Sequence, residues 1–162
     1  MNKIQLMVGL VAWLLLCFAA SFIGALAAFN APEIYGQMTQ PEWAPPAWLF
    51  GPVWTTLYAM MAVAAWLVWQ RGGFNQNRLA LGVFLLQLAL NALWSWLFFA
   101  WLQGAWSVLN IGLLWVMIAV TIVLFWRVNR WAGMLLIPYL VWVSFATALN
   151  TAMWQLNPNI LG

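Results

Sequence analysis

Long apolar stretches separated by short polar interruptions make up this chain. The apolar runs occupy about residues 4–29, 47–70, 79–101, 106–126 and 132–154. Each has close to the roughly 20 apolar residues that a helix needs to cross a hydrocarbon layer of ~30 Å. Their apolar character is continuous, not alternating every second residue over about ten positions, so they predict transmembrane helices and not barrel strands. The expected fold class is an all-α membrane protein, a five-transmembrane-helix bundle forming a single domain over residues 1–162. Five crossings put the two termini on opposite sides. The first run follows Lys3 and contains Ala25-Leu26-Ala27, a composition that resembles a cleavable secretory leader. It exceeds a leader's apolar core in length, and it is read as the first span.

The interruptions differ in kind. Residues 30–46 form the one long connection, with Pro32, Pro41, Pro45 and Pro46 alongside Glu33 and Glu42. Prolines at this density stiffen a segment and stop either flanking helix from running through it, which predicts a shaped lid loop. The stretch "RGGFNQNR", residues 71–78, predicts a flexible turn. The remaining connections are short enough only to join antiparallel neighbours. No internal repeat suggests inverted transporter halves.

Composition closes off other classes. At 67% hydrophobic and 4% charged residues, the chain cannot cover itself with polar surface in water. Its few charges are ordered. With five spans, Lys3, Arg71, Arg78, Arg127 and Arg130 fall on one side, and Glu33 and Glu42 on the other. The positive-inside rule then predicts a cytoplasmic N-terminus and an outer C-terminus, in a bacterial cytoplasmic membrane. The net charge of +3 forms no basic patch, so nucleic acid is not an expected partner. There is no His, and Cys17 is the only cysteine. An intramolecular disulfide is impossible, a metal site lacks its normal ligands, and no nucleophile–base pair exists for acyl transfer. Cys17 reads as a small buried apolar residue, and neither metal nor cofactor is expected.

Fifteen tryptophans remain to be placed. Trp43, Trp48, Trp101, Trp106 and Trp154 lie near the outer helix ends, and Trp66, Trp69, Trp126 and Trp131 near the inner ones. Indole favours the headgroup boundary, so these nine read as an aromatic belt. Setting aside Trp13 in the first run, Trp54, Trp94, Trp96, Trp115 and Trp142 sit deeper, where each indole N–H needs a partner in a dry medium.

Residues four apart share a helix face. This spacing aligns Phe50, Trp54 and Tyr58 below Pro46 in the second span, Gln87, Asn91 and Ser95 in the third, and Pro138, Trp142, Ala146 and Asn150 in the fifth. Amides within a bilayer are costly unless they face the bundle, so two readings stand side by side. Either the polar groups join helices to one another, or they and the aromatic rings line a pocket for a flat hydrophobic ligand under the loop. Small residues also recur every fourth position, at Ala20, Gly24 and Ala28 and at Ser144, Ala148 and Ala152, as in close helix contacts within a monomer or between two copies.

Three segments resemble a known family: "PEWAPPAWLFGPVWTTLY" at 41–58, "LLQLALNALWSWLFF" at 85–99 and "LLIPYLVWVSFATALNTAMWQLN" at 135–157. Their W-x-P-P-x-W, G-P-V-W-T and P-Y-L-x-W elements resemble, in order and spacing, those of the TspO/MBR family. It comprises the tryptophan-rich sensory proteins of bacteria and the translocator protein, or peripheral-type benzodiazepine receptor, of mitochondria. The resemblance covers nearly the whole chain. It implies a bundle, usually homodimeric, that binds porphyrins such as protoporphyrin IX and, in some members, isoquinoline carboxamide or benzodiazepine drugs and cholesterol. It further implies a cavity lined from the second, third and fifth helices and covered by the first loop, with Trp54, Asn91, Ser95, Trp142 and Ala146 in its wall. Light-dependent porphyrin breakdown, credited to similar proteins, would fall to Trp54 and Trp142. Two departures stand out. Tyr139 is followed by no basic residue, so the proposed cholesterol motif is incomplete. All arginines lie opposite the loop, leaving no bidentate partner there for a porphyrin carboxylate, and modest affinity is expected.

Overall fold

A computed structural model describes all 162 residues. Helix α1 (Lys3–Ala27) is started by Asn2, whose side chain accepts from the Gln5 backbone N–H at 2.8 Å while the Gln5 side chain accepts from the Asn2 N–H at 3.0 Å. This reciprocal cap satisfies two otherwise unpaired donors. A 3-10 turn, Ala47–Leu49, leads into α3 (Phe50–Trp69), and α5 (Arg78–Ser95) widens into a π turn over Trp96–Ala100. The fourth crossing is α6 (Gly104–Val128). The fifth is broken into α7 (Arg130–Leu135) and α8 (Ile137–Leu156), with Pro138 in the first turn of α8, where its missing N–H costs nothing. Together these give five crossings of 23 to 27 residues, each apolar enough to span a membrane. Their outer faces carry large exposed apolar side chains such as Leu15, Phe22, Leu109 and Val141, as lipid-facing surfaces do.

Two connections are more ordered than their composition predicts. Within the lid segment 30–46 a short helix, α2 (Ala31–Gln37), begins at Pro32. Proline ends a helix from within but suits its first turn, which is where α2 holds Pro32. In the turn 71–78, Gly72 and Gly73 take φ of 109° and 61° around the single helical turn α4 (Gly73–Gln76). The Asn77 amide then donates to the carbonyls of Val68, Arg71 and Gly73. What reads as a flexible turn is tied at three points.

The helices form a ring in which α1 packs on α3 and α5, α5 on α6, and α6 on α7 and α8, while α7 closes back onto α3. Because α3 meets α7 in preference to α8, the second and fifth crossings touch near the arginine end and diverge toward the lid. Packing follows that shape. A large core including Met61, Ala62, Ala65, Leu81, Phe84 and Phe125 fills the arginine half. A smaller one of Tyr35, Met38, Phe98, Leu149, Met153 and Leu161 sits under the lid. A cavity separates the two.

Candidate functional site

The cavity measures about 430 Å³, inside the roughly 300–1,000 Å³ range of small-molecule sites. Its roof is the lid, through Ala31, Pro32 and Tyr35. On α3 the four-residue spacing turns Phe50, Trp54 and Tyr58 inward as one wall. The facing wall is α8, with Trp142, Ala146, Leu149, Asn150 and Met153. Helix α5 adds Asn91, Trp94 and Ser95, and its π turn adds Phe98 and Phe99.

The rings meet at right angles more often than face to face. Phe50 and Trp142 lie 6.0 Å apart at 67°, Trp54 and Trp142 6.5 Å apart at 88°, and Tyr35 and Phe50 5.6 Å apart at 81°. Edge-to-face contacts are favourable for aromatic quadrupoles. They also build an aromatic corner at the border of the void. No charged side chain lines it, and nowhere do three His, Cys, Asp or Glu side chains come together. The chemistry on offer is stacking, dispersion and a few neutral hydrogen bonds.

Two buried polar chains border the cavity. Below it, the Tyr58 hydroxyl donates to Asn91 Oδ1 at 3.1 Å, Asn91 Nδ2 donates to the Tyr139 hydroxyl at 2.6 Å, and that hydroxyl donates to Gln87 Oε1 at 2.7 Å. Three crossings are joined at this floor. Beside it, Trp94 Nε1 donates to Asn150 Oδ1 at 2.7 Å and Asn150 Nδ2 donates to Ser107 Oγ at 3.0 Å, linking α5, α8 and α6. Asn91 and Asn150 thus both bind other helices and face the void. Gln87 departs from expectation. It lies one turn deeper than Asn91, is 1% exposed, and spends its amide on Tyr139 and, at 3.9 Å, on Met61 Sδ, so it is no part of the wall.

Among the deep tryptophans, Trp94 and Trp115 find side-chain oxygens, the latter Ser144 Oγ at 2.7 Å. Trp142 does not: its Nε1 is buried without a partner. Trp13 is buried against Phe74 and Phe84. Three of the nine expected belt residues serve other ends. Trp66 Nε1 donates to the Leu6 carbonyl at 2.9 Å, Trp69 occupies the notch left by Gly9, and Trp154 occupies the one left by Gly104.

The lid is tied internally. The Tyr35 hydroxyl donates to the Pro45 carbonyl at 2.9 Å, and Gln40 Nε2 donates to the Tyr35 carbonyl at 2.7 Å. Burial pushes the Tyr35 phenol above its ordinary pKa of 10.0, so it stays a donor at neutral pH.

Sequence reasoning missed three contributors. Helix α1 and its cap residue line the cavity through Ser21, Gly24, Ala25 and Ala28, of which Gly24 and Ala28 read as a packing face and not as the edge of a void. Tyr139 shares a helix face with Trp142, Ala146 and Asn150 at intervals of three, four and four, a spacing that could have found it. Asn157 pairs with the lid backbone across 118 positions, and nothing local signals that.

The sequence has clear relatives. The TspO/MBR family model matches residues 12–155. A tryptophan-rich protein TspO from Chlorobaculum tepidum is 42% identical over 146 residues, covering 88% of this chain and 92% of its own. A tryptophan-rich sensory protein from Cereibacter sphaeroides is 38% identical over 143 residues, covering 88% and 87%. The human translocator protein is 40% identical over 125 residues, covering 76% and 74%. With five crossings, a lidded aromatic cavity and a family match over most of its length, the chain is an integral membrane protein belonging to the TspO/MBR family.

Proposed function

We propose that this protein binds a tetrapyrrole of the protoporphyrin IX type in the lidded cavity, acting as a sensor, sequestering protein or translocator of such molecules. The observation that carries this reading is the corner of Phe50, Trp54 and Trp142, flat apolar walls around a void of about 430 Å³. A flat conjugated ligand is matched by such walls, and a peptide or sugar is not. Ser95, a wall residue whose hydroxyl makes no hydrogen bond, is a spare donor for an acceptor atom on the ligand. The floor of Tyr58, Asn91, Tyr139 and Gln87 closes the cavity toward the arginine end, which favours binding over open conduction. The gathering of every Lys and Arg at that end supports its being cytoplasmic and the lid being outside, with a bacterial cytoplasmic membrane as the proposed location.

The test is a titration of protoporphyrin IX into the protein in lipid nanodiscs, read by tryptophan emission. Saturable quenching is expected, weakened about ten-fold by Trp54→Phe with Trp142→Phe, in line with the loss of indole stacking area. Quenching that stays the same in the double variant would place the porphyrin elsewhere.

A further inference from the structure

We propose that Asn157 is a positioning residue that latches the lid onto the end of α8 and so sets how readily the cavity opens toward the lid side. Its bearing on ligand retention rests on the reading of the cavity as a ligand site; the latch itself does not. The Asn157 amide is 6% exposed at the C-terminus of α8. Its Oδ1 accepts from the Thr39 backbone N–H at 2.7 Å, and its Nδ2 donates to the Thr39 carbonyl at 2.9 Å. One side chain thereby reproduces the two-bond exchange of paired backbones in a sheet. The second Nδ2 hydrogen goes to the Met153 carbonyl at 2.8 Å, which fixes the amide plane against its own helix. Thr39 follows directly on α2 and its cap residue Met38, and Met153 is itself a cavity-wall residue. The latch therefore joins roof to wall where the two meet.

What makes one residue decisive is how the rest of the lid is held. The hydrogen bonds from Tyr35 to Pro45 and from Gln40 to Tyr35 lie inside the lid and make it move as a unit. Its side-chain hydrogen bonds to the bundle are the two at Asn157. The other fastenings are apolar, such as the edge contact of Trp43 with Phe145 at 5.7 Å and Met38 within the cluster of Met153 and Leu161. Apolar contacts slide, whereas a reciprocal pair of directional bonds sets one register.

A reporter that needs no ligand tests this. In the full chain in nanodiscs, with Cys17→Ala, a cysteine is placed in the wall by Ser95→Cys and reacted with a charged, water-soluble thiol reagent. Asn157→Leu is expected to speed labelling about ten-fold, as the loss of two hydrogen bonds implies, with faster amide exchange in the lid around residue 39. Thr39→Pro removes one of the latch's two bonds, the one donated by the Thr39 N–H, from the lid side without touching α8. Met38 already has the extended ψ of 147° that a following proline requires. Labelling should quicken there too, so a folding defect in one variant cannot decide the matter. Bound protoporphyrin should leave both variants faster. If lid exchange quickens while labelling stays at the parental rate, Asn157 is merely structural and the proposal fails. Unchanged lid exchange in both variants sinks it as well. A parent that labels slowly and unlatched variants that label fast, with no protoporphyrin bound by any of them, would leave the latch standing and remove the porphyrin reading.

Discussion

At the scale of single residues, Tyr139 joins two buried amides, its hydroxyl accepting from Asn91 and donating to Gln87 while 1% exposed. Each interhelical hydrogen bond in a membrane protein contributes about 1 kcal/mol, because the unfolded helices also find partners in the bilayer. Tyr139→Phe keeps the ring, loses both bonds and orphans two amide atoms. Unfolding in detergent should therefore show a loss of about 1–2 kcal/mol. Gln87→Leu should cost less, since it removes the desolvated amide together with its bond and leaves the Tyr139 hydroxyl its Asn91 contact. A neutral Tyr139→Phe would mean the network contributes nothing net. The pair also marks the limit of what residue spacing can say. Gln87 and Asn91 sit one turn apart on a single stripe, yet one is packed and the other faces the void, and that depends on where neighbouring helices diverge.

At the scale of helices, contact is set by glycine notches filled with indole. A Cβ on Gly9 would lie 2.2 Å from Trp69, and one on Gly104 2.2 Å from Trp154. The α1–α3 contact cannot simply widen at Gly9, because Trp66 Nε1 ties the next turn to the Leu6 carbonyl at 2.9 Å. Gly9→Ala should therefore destabilise by about 1–3 kcal/mol, the usual range for overpacking. Trp69→Leu in the same chain should recover most of it. Gly112→Ala, with nothing within 4 Å of its added Cβ, is the control, and there the better helix propensity of alanine should make the change neutral or stabilising. Thermal unfolding of the four proteins tests the assignment, and equal losses at Gly9 and Gly112 would refute it. The five crossings themselves were legible as continuous apolar runs, because a bilayer demands unbroken apolar length. Helix α2 was not, since Pro32 is compatible with ending one helix and with starting another. Nor was the π turn at Trp96–Ala100, whose extra residue per turn leaves no trace in composition.

For the molecule as a whole, a dense arginine half and an open lid half divide stability from function. Spacing alone aligned Phe50, Trp54, Tyr58, Gln87, Asn91, Ser95, Trp142, Ala146 and Asn150 on three helix faces, and all but Gln87 line the cavity. Spacing left open whether a void lies between them, which the family resemblance implied, because it arises from α3 packing on α7 while α8 diverges, a tertiary property with no local signature. The division has a consequence that can be tested by filling the space. Ala146 projects from α8 between Trp142 and Asn150, and its methyl leaves room that a larger apolar side chain can occupy. Ala146→Leu adds contacts to atoms that currently border empty space, and gaps of this kind forfeit dispersion energy. The variant should therefore unfold at a temperature equal to or a few degrees above the parent. Its protoporphyrin titration should weaken by about ten-fold or more, the pattern of a site whose emptiness is kept at the expense of stability. Loss of stability together with loss of binding would indicate that the pocket has no spare volume at this position. Unaltered binding would mean that the ligand does not enter between α3 and α8, whereas a tighter bundle that has lost its ligand ties this cavity to the activity.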